Sequence, residues 1–289
     1  MQADTSPACR GVSKVRGRGS RAVLVCLLCA GAAGCGSVAP PGAFPDGGGP
    51  PDGAVGADAG VDGGVDAGVS GWFARDAGVK ILPLGDSITE GAQAELGGYR
   101  WPLEDMLLDA GYAFDYVGSL RVGSPSSMPQ PWHEGHGGYQ IESADGGHQL
   151  AGAVVDSAMR TSSPDVILLL AGTNNLNFPD TLDPAKTSAM YHRLLAQIFA
   201  LSPGVGVLAS PVPWKTSVPA DRVAAFNSRV EAIVADYADA GYRIAWVSGM
   251  TDAVDGGAEN LPDGLHPSQP AYGRMAEQWF RAIESVSGR

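Results

Sequence analysis

Beyond residue 78, apolar and polar positions alternate between two spacings. Short apolar runs fit buried strands near 79–84, 112–117, 164–170, 205–209 and 242–247. The clearest is Asp165-Val166-Ile167-Leu168-Leu169-Leu170-Ala171, whose apolar run is unbroken, as in a strand covered on both faces. Helical patterns fit near 99–110, 144–161, 184–201, 221–240 and 269–286. In the last of these, Tyr272, Met275, Ala276, Trp279, Phe280 and Ile283 form an apolar stripe at helical spacing, which marks a helix packed on a core. Strands alternating with helices predict an α/β domain over residues 78–289, with a parallel sheet covered on both faces. A chain of that length suffices for one sizeable core. Right-handed crossovers would bring the loops that follow the strands to a single rim.

The front of the chain breaks this pattern. Arg10, Lys14, Arg16, Arg18 and Arg21 precede an apolar run from Ala22 to Ala30 that is too short for a mature membrane span. With Gly31-Ala32-Ala33-Gly34-Cys35-Gly36 following, residues 1–35 resemble a bacterial lipoprotein signal with Cys35 as the lipid attachment site. Ala32 stands where that motif favours Leu, so ordinary signal cleavage is the alternative. Residues 36–77 read as a flexible linker. From Gly36 to Ser70 they are nearly all Gly, Ala, Pro, Asp and Val, and lack the large side chains that would offset ordering entropy. Such a tether of about 40 residues reaches roughly 35 Å. Trp72 and Phe73 mark where the chain begins to dock. An extracytoplasmic location is expected, as an envelope lipoprotein or a secreted protein.

Cysteine and charge narrow the possible partners. All four cysteines (Cys9, Cys26, Cys29 and Cys35) lie in the leader, leaving none for a disulfide or a thiolate metal site in the domain. His133 and His136 share an i,i+3 spacing, but no cysteine or second pair accompanies them, and no metal is expected. The net charge is −12. The leader to Gly34 contributes +4 (five basic residues, one acidic), so the remainder carries −16. Such a surface repels phosphate backbones and excludes nucleic acid as a partner. It also disfavours anionic lipid, so any membrane attachment would run through the lipid anchor. A monomer is expected.

Four separated segments carry candidate chemistry. Gly85-Asp86-Ser87 follows the first strand and offers a serine nucleophile at its C-terminal end. A serine hydroxyl needs a positioned base. Asp263-Gly264-Leu265-His266 supplies one in His266, with Asp263 to hold its tautomer and stabilise its cation. Pro267 fits the first position of the following helix. Asn174, in Gly172-Thr173-Asn174, has a side-chain amide that can donate to an oxyanion. The backbone N–H groups of Ser87 and of Gly138, in His133-Glu134-Gly135-His136-Gly137-Gly138, can do the same. This chemistry needs no cofactor.

These residues resemble the SGNH (GDSL-type) hydrolases across about residues 79 to 286. Gly85-Asp86-Ser87-Ile88-Thr89, Gly138, Gly172-Thr173-Asn174 and Asp263 through His266 match the four family blocks. The resemblance implies a flavodoxin-like three-layer sandwich with a five-stranded parallel sheet in the order 2-1-3-4-5. It is nearest the carbohydrate-esterase branch that includes acetylxylan esterases, on the strength of Gly98-Tyr99-Arg100, Val117-Gly118-Ser119 and His133-Glu134-Gly135-His136. It implies a serine esterase that takes acetyl groups from a polysaccharide such as xylan through an acyl-enzyme on Ser87. Asn175 departs from the family, which usually has Asp there, and this bears on local hydrogen bonding. Trp132 and Trp214 fall on the expected rim, where a ring can stack on a sugar. Asp86, Tyr99 and Arg100 complete the expected substrate-binding set. A lipid or small-ester hydrolase and a non-catalytic carbohydrate-binding lipoprotein remain alternatives. A nucleotide-binding domain is disfavoured, since no Gly-x-Gly-x-x-Gly opens the first helix.

Overall fold

The computed structural model describes residues 71–92, 97–122, 128–177 and 183–288. The expected signal segment, Cys35 and the tether as far as Ser70 lie outside the described residues. Seven strands form the sheet: β1 (Val79–Gly85), β2 (Phe114–Tyr116), β3 (Leu120–Arg121), β4 (Trp132–Gly135), β5 (Val166–Leu170), β6 (Gly206–Ala209) and β7 (Ile244–Trp246). They run β3-β4-β1-β5-β6-β7, with β2 also paired to β1.

The five expected strands are therefore joined by two more, because two short strands share one edge of β1. Val79–Ile81 pair with β2, and Leu84–Gly85 pair with β4, both in parallel. The chain turns between them at Gly118, where a Cβ would lie 2.2 Å from the His133 carbonyl oxygen. β3 then closes on β4 in antiparallel fashion. On the other side, β5, β6 and β7 continue in parallel, with Gly85 opposite Leu170.

Period-2 alternation divides the strands between two cores. Leu82, Leu84, Ile167, Leu169 and Val207 point to one face, packed by α3 (Ala153–Ser162), α4 (Pro184–Leu201) and α5 (Ala220–Asp239). Ile81, Val166, Leu168, Leu170 and Leu208 point to the other, packed by α2 (Arg100–Asp109) and α7 (Gln269–Val286). The predicted stripe of α7 is fully buried at Tyr272, Met275, Ala276, Trp279 and Ile283, and Phe280 is partly buried beside it. Two short helices, α1 (Ser87–Glu90) and α6 (Met250–Ala253), complete the set. Among the described residues, no helix is long and apolar enough to cross a membrane.

One boundary and one proline position differ from expectation. α3 starts at Ala153 rather than near 144, because the chain before it turns at Gly146 and again at Gly152, both at positive φ. α7 starts at Gln269 with Ser268 as its cap, so Pro267 precedes the helix and Pro270 occupies its first turn. The N-terminal docking point does fall at Trp72 and Phe73. Trp72 N–H donates to the Val286 carbonyl (2.6 Å), Phe73 bridges Ser287, and the Trp72 ring lies against Gly206. Packing thus begins several residues before position 78.

Candidate active site

β1 delivers the candidate nucleophile to the rim. At Gly85 a Cβ would sit 2.2 Å from the Leu170 carbonyl oxygen and 2.4 Å from Thr89 Oγ1, so only glycine lets α1 pack this close to β5. Asp86 is extended and caps α1, its Oδ1 accepting from Ile88 N–H at 3.0 Å. Ser87 opens α1 and is 9% exposed. Its Oγ lies 2.9 Å from His266 Nε2.

The loop before α7 supplies the partner groups. His266 Nδ1 is 2.7 Å from Asp263 Oδ2, while Asp263 Oδ1 accepts from the N–H groups of His266 (2.7 Å) and Leu265 (3.0 Å). Burial pushes the Asp263 carboxyl up, but the bonds from the His266 ring and the two N–H groups outweigh it and hold it below the usual range. A carboxylate accepting at Nδ1 leaves the Nε2 lone pair facing the serine hydroxyl. Gly264 makes the turn at φ +79, and its carbonyl is held by Thr216 through N–H (2.8 Å) and Oγ1 (3.1 Å).

Asn174 follows β5 and is nearly buried. Its Nδ2 donates to the Tyr139 carbonyl at 2.8 Å, tying it to the turn that carries Gly138. That turn closes through Tyr139 N–H to the His136 carbonyl (3.1 Å), and Gly138 sits exposed within it at φ +79. An amide nitrogen has two hydrogens, so Asn174 can hold Tyr139 and still donate to an oxyanion. His136 N–H bonds the Gly85 carbonyl (2.9 Å), bringing the same turn beside the nucleophile.

Four of the five residues expected to bind substrate do not face it. Asp86, Tyr99 and Arg100 are fully buried. Tyr99 packs against Trp279, and the Arg100 guanidinium donates to the carbonyls of Thr89, Glu90 and Pro131. Arg100 therefore braces α1 and the approach to β4. Trp132 is exposed, but it lines a surface hollow with Lys80, Asp115 and Ser162, at the edge of the sheet away from the rim. Trp214 is on the rim, lining a groove of about 620 Å³ with Asn227, Glu231, Trp246 and Asp255. Ser87, Asn174 and His266 do not line that groove.

His133 and His136 serve separate purposes. Burial pushes His133 down to about 3, so it is neutral, and its Nδ1 accepts from Gly135 N–H. His136 bonds Glu134 at 2.7 Å and stacks on Tyr139. Among the described residues, no group of three or more His, Cys, Asp or Glu could hold a metal. Asn175 is fully buried. It accepts from Ile141 N–H (2.7 Å) and donates to the Glu142 carbonyl (3.1 Å), a donation that Asp could not make.

Lys215 is absent from the sequence-based site. It lies in the loop after β6 with no exposed surface, and its Nζ donates to the Thr173 carbonyl. Burial lowers its ammonium to about 8, partly offset by Asp86. Burial raises Asp86 to about 6, against the Ile88 N–H, the Thr173 hydroxyl, Lys215 and His266. A single lysine in an apolar loop carries no sequence signal of burial.

Residues 84–274 match the GDSL-like Lipase/Acylhydrolase family, and the chain belongs to it. A multidomain esterase of Ruminococcus flavefaciens is 31% identical over 227 residues, which are 71% of this chain and 28% of that protein. This chain thus spans under a third of that relative's length. Among solved structures, a Clostridium thermocellum family 3 carbohydrate esterase is 31% identical with a TM-score of 0.61, covering 73% of this chain and 99% of that one. A family 3 carbohydrate esterase from Talaromyces cellulolyticus shares the fold at 24% identity and a TM-score of 0.58.

Proposed function

We propose that this chain is a serine esterase that removes short acyl groups, acetyl foremost, from a polysaccharide such as xylan. The observation that carries the reading is the unbroken file of contacts from Asp263 through His266 to Ser87. His266 Nε2 takes the hydroxyl proton as Ser87 Oγ bonds to the ester carbonyl carbon. The carbonyl electron pair moves onto oxygen, where Ser87 N–H, Gly138 N–H and the Asn174 amide receive it. Collapse expels the alcohol, which takes the proton from His266 and leaves acyl-Ser87. Water then repeats the sequence with His266 as base and releases the acid. No step calls on a cofactor.

The carbohydrate preference draws on the names of the similar proteins and on the groove that Trp214 lines after β6. Trp214 and Trp246 line it with Glu231 and Asp255 and with no lysine or arginine, which suits neutral sugar hydroxyls better than an anionic ligand. The basic leader, apolar run and Cys35 support export, with lipid anchoring as the finer reading.

Ser87→Ala should abolish hydrolysis of p-nitrophenyl acetate while leaving the circular dichroism spectrum unchanged; full residual activity would sink the assignment. Trp214→Ala should raise KM for acetylated xylan several-fold and leave that for p-nitrophenyl acetate nearly constant. A wild-type preference for octanoyl over acetyl esters would overturn the carbohydrate reading.

A further inference from the structure

We propose that Lys215 is a positioning residue for the oxyanion block, its ammonium fastening Thr173 and Asn174 to the turn that carries Ser87. The inference rests on the esterase reading above and adds a residue to it. Lys215 and Thr216 meet all three parts of the site. Lys215 Nζ donates to the Thr173 carbonyl, one residue before Asn174. Its charge acts on Asp86, one residue before Ser87. Thr216, the next residue, holds the Gly264 carbonyl between Asp263 and His266 through two hydrogen bonds. One short loop after β6 therefore bonds the backbone beside Asn174 and beside His266, and its charge is felt at the residue before Ser87.

The polar groups around Lys215 are costly to bury and need it. Asp86 is fully buried, and the Thr173 hydroxyl near it draws its pKa down, but neither Asp86 Oδ2 nor Thr173 Oγ1 makes a hydrogen bond of good geometry. The groups facing Asp86 electrostatically are Lys215, His266, Tyr99 and Tyr272. Of these, Lys215 alone is a lysine or arginine. Lys215 and Asp86 attract without forming a salt bridge, and buried opposite charges are in any case a poor source of stability, since well-packed apolar substitutes often do as well. The location of Lys215 between two site segments makes geometry the better account. If Thr173 shifts, the Asn174 amide moves with it, and a misplacement of about 1 Å is enough to lower the rate about 100-fold.

The test compares Lys215→Met, Asp86→Asn and the double variant, using p-nitrophenyl acetate turnover and thermal melting. Lys215→Met should lower kcat about 10- to 100-fold with KM nearly constant, a smaller loss than the roughly 100- to 1000-fold that removing an oxyanion donor outright costs. It should also melt earlier, because the buried Asp86 loses the lysine charge that favours its ionised form. The double variant removes both charges and keeps the Oδ1 cap on Ile88. It should recover the melting temperature but not kcat, whereas Asp86→Asn alone should keep more activity than the double variant. The proposal fails if the double variant regains kcat, if Lys215→Met turns over like wild type, or if Asp86→Asn is as impaired as the double. Failure of the double variant to fold also counts against it, since the scaffold rather than the oxyanion donor would then depend on Lys215. A wild-type protein inactive on every ester would instead refute the esterase reading itself.

Discussion

Asp86 and Ser87 are neighbours in the chain, yet one is a buried cap and the other a partly open hydroxyl. The buried carboxyl makes a testable contribution to stability. Its folded value of about 6 lies above the ordinary 3.8, so the folded state binds the proton more tightly than the unfolded chain. That contribution is full below about pH 4 and is lost as pH rises through about 6. Asp86→Asn abolishes the titration while keeping Oδ1 for Ile88. Between about pH 4 and about pH 6.5, the variant should gain on wild type by on the order of 2 kcal/mol, read from parallel denaturant melts. A difference that does not change with pH would contradict the burial argument. Ser87, Asn174, Asp263 and His266 stand out in the sequence because few residue types can act as nucleophile, amide donor or base, and the structure brings Ser87, His266 and Asp263 into one file of contacts. Asp86, Tyr99, Arg100 and Trp132 were misread because nearness to a motif does not say which side of the backbone faces substrate. Lys215 left no trace at all, since its burial comes from packing by distant segments.

Elements were legible wherever periodicity ran long enough. α4, α5 and α7 lie within a residue of their expected spans, and β5 was evident from its unbroken apolar run. β4 was not, because Trp132-His133-Glu134-Gly135 has neither an apolar run nor strict alternation. Its three inner residues are nonetheless buried, as their partners on β1 and β3 require. The turn bearing His266 is sensitive to a small change. Gly264 has φ +79, and a Cβ there would meet Thr216 Oγ1 at 2.2 Å. Gly264→Ala should therefore displace His266 and lower kcat on p-nitrophenyl acetate by about 100-fold, with secondary structure retained by circular dichroism. Turnover within about twofold of wild type would show that the turn can relax without cost.

For the domain as a whole, the informative boundary is at Trp72. The segment from Trp72 to Arg75 is stitched to the C-terminus by Trp72 with Val286, Gly288 N–H with the Phe73 carbonyl, and the Arg75–Glu284 ion pair. A chain starting at Gly71 should melt and turn over like the full chain. One starting at Gly78 should melt roughly 5–10 °C lower, having lost two large apolar side chains from the second core. Equal melting temperatures would mean that this stitching contributes nothing.

From the sequence alone came the α/β class, the order of helices and strands, and the residues able to act as nucleophile, donor and base. Each of these is a local property of side-chain chemistry or of spacing along the chain. Tertiary structure decided the shared edge of β1, the burial of Asp86, Arg100 and Lys215, and the tie between Asn174 and Tyr139. Those depend on which distant segments exclude water from one another, and desolvation has no signature in the order of residues.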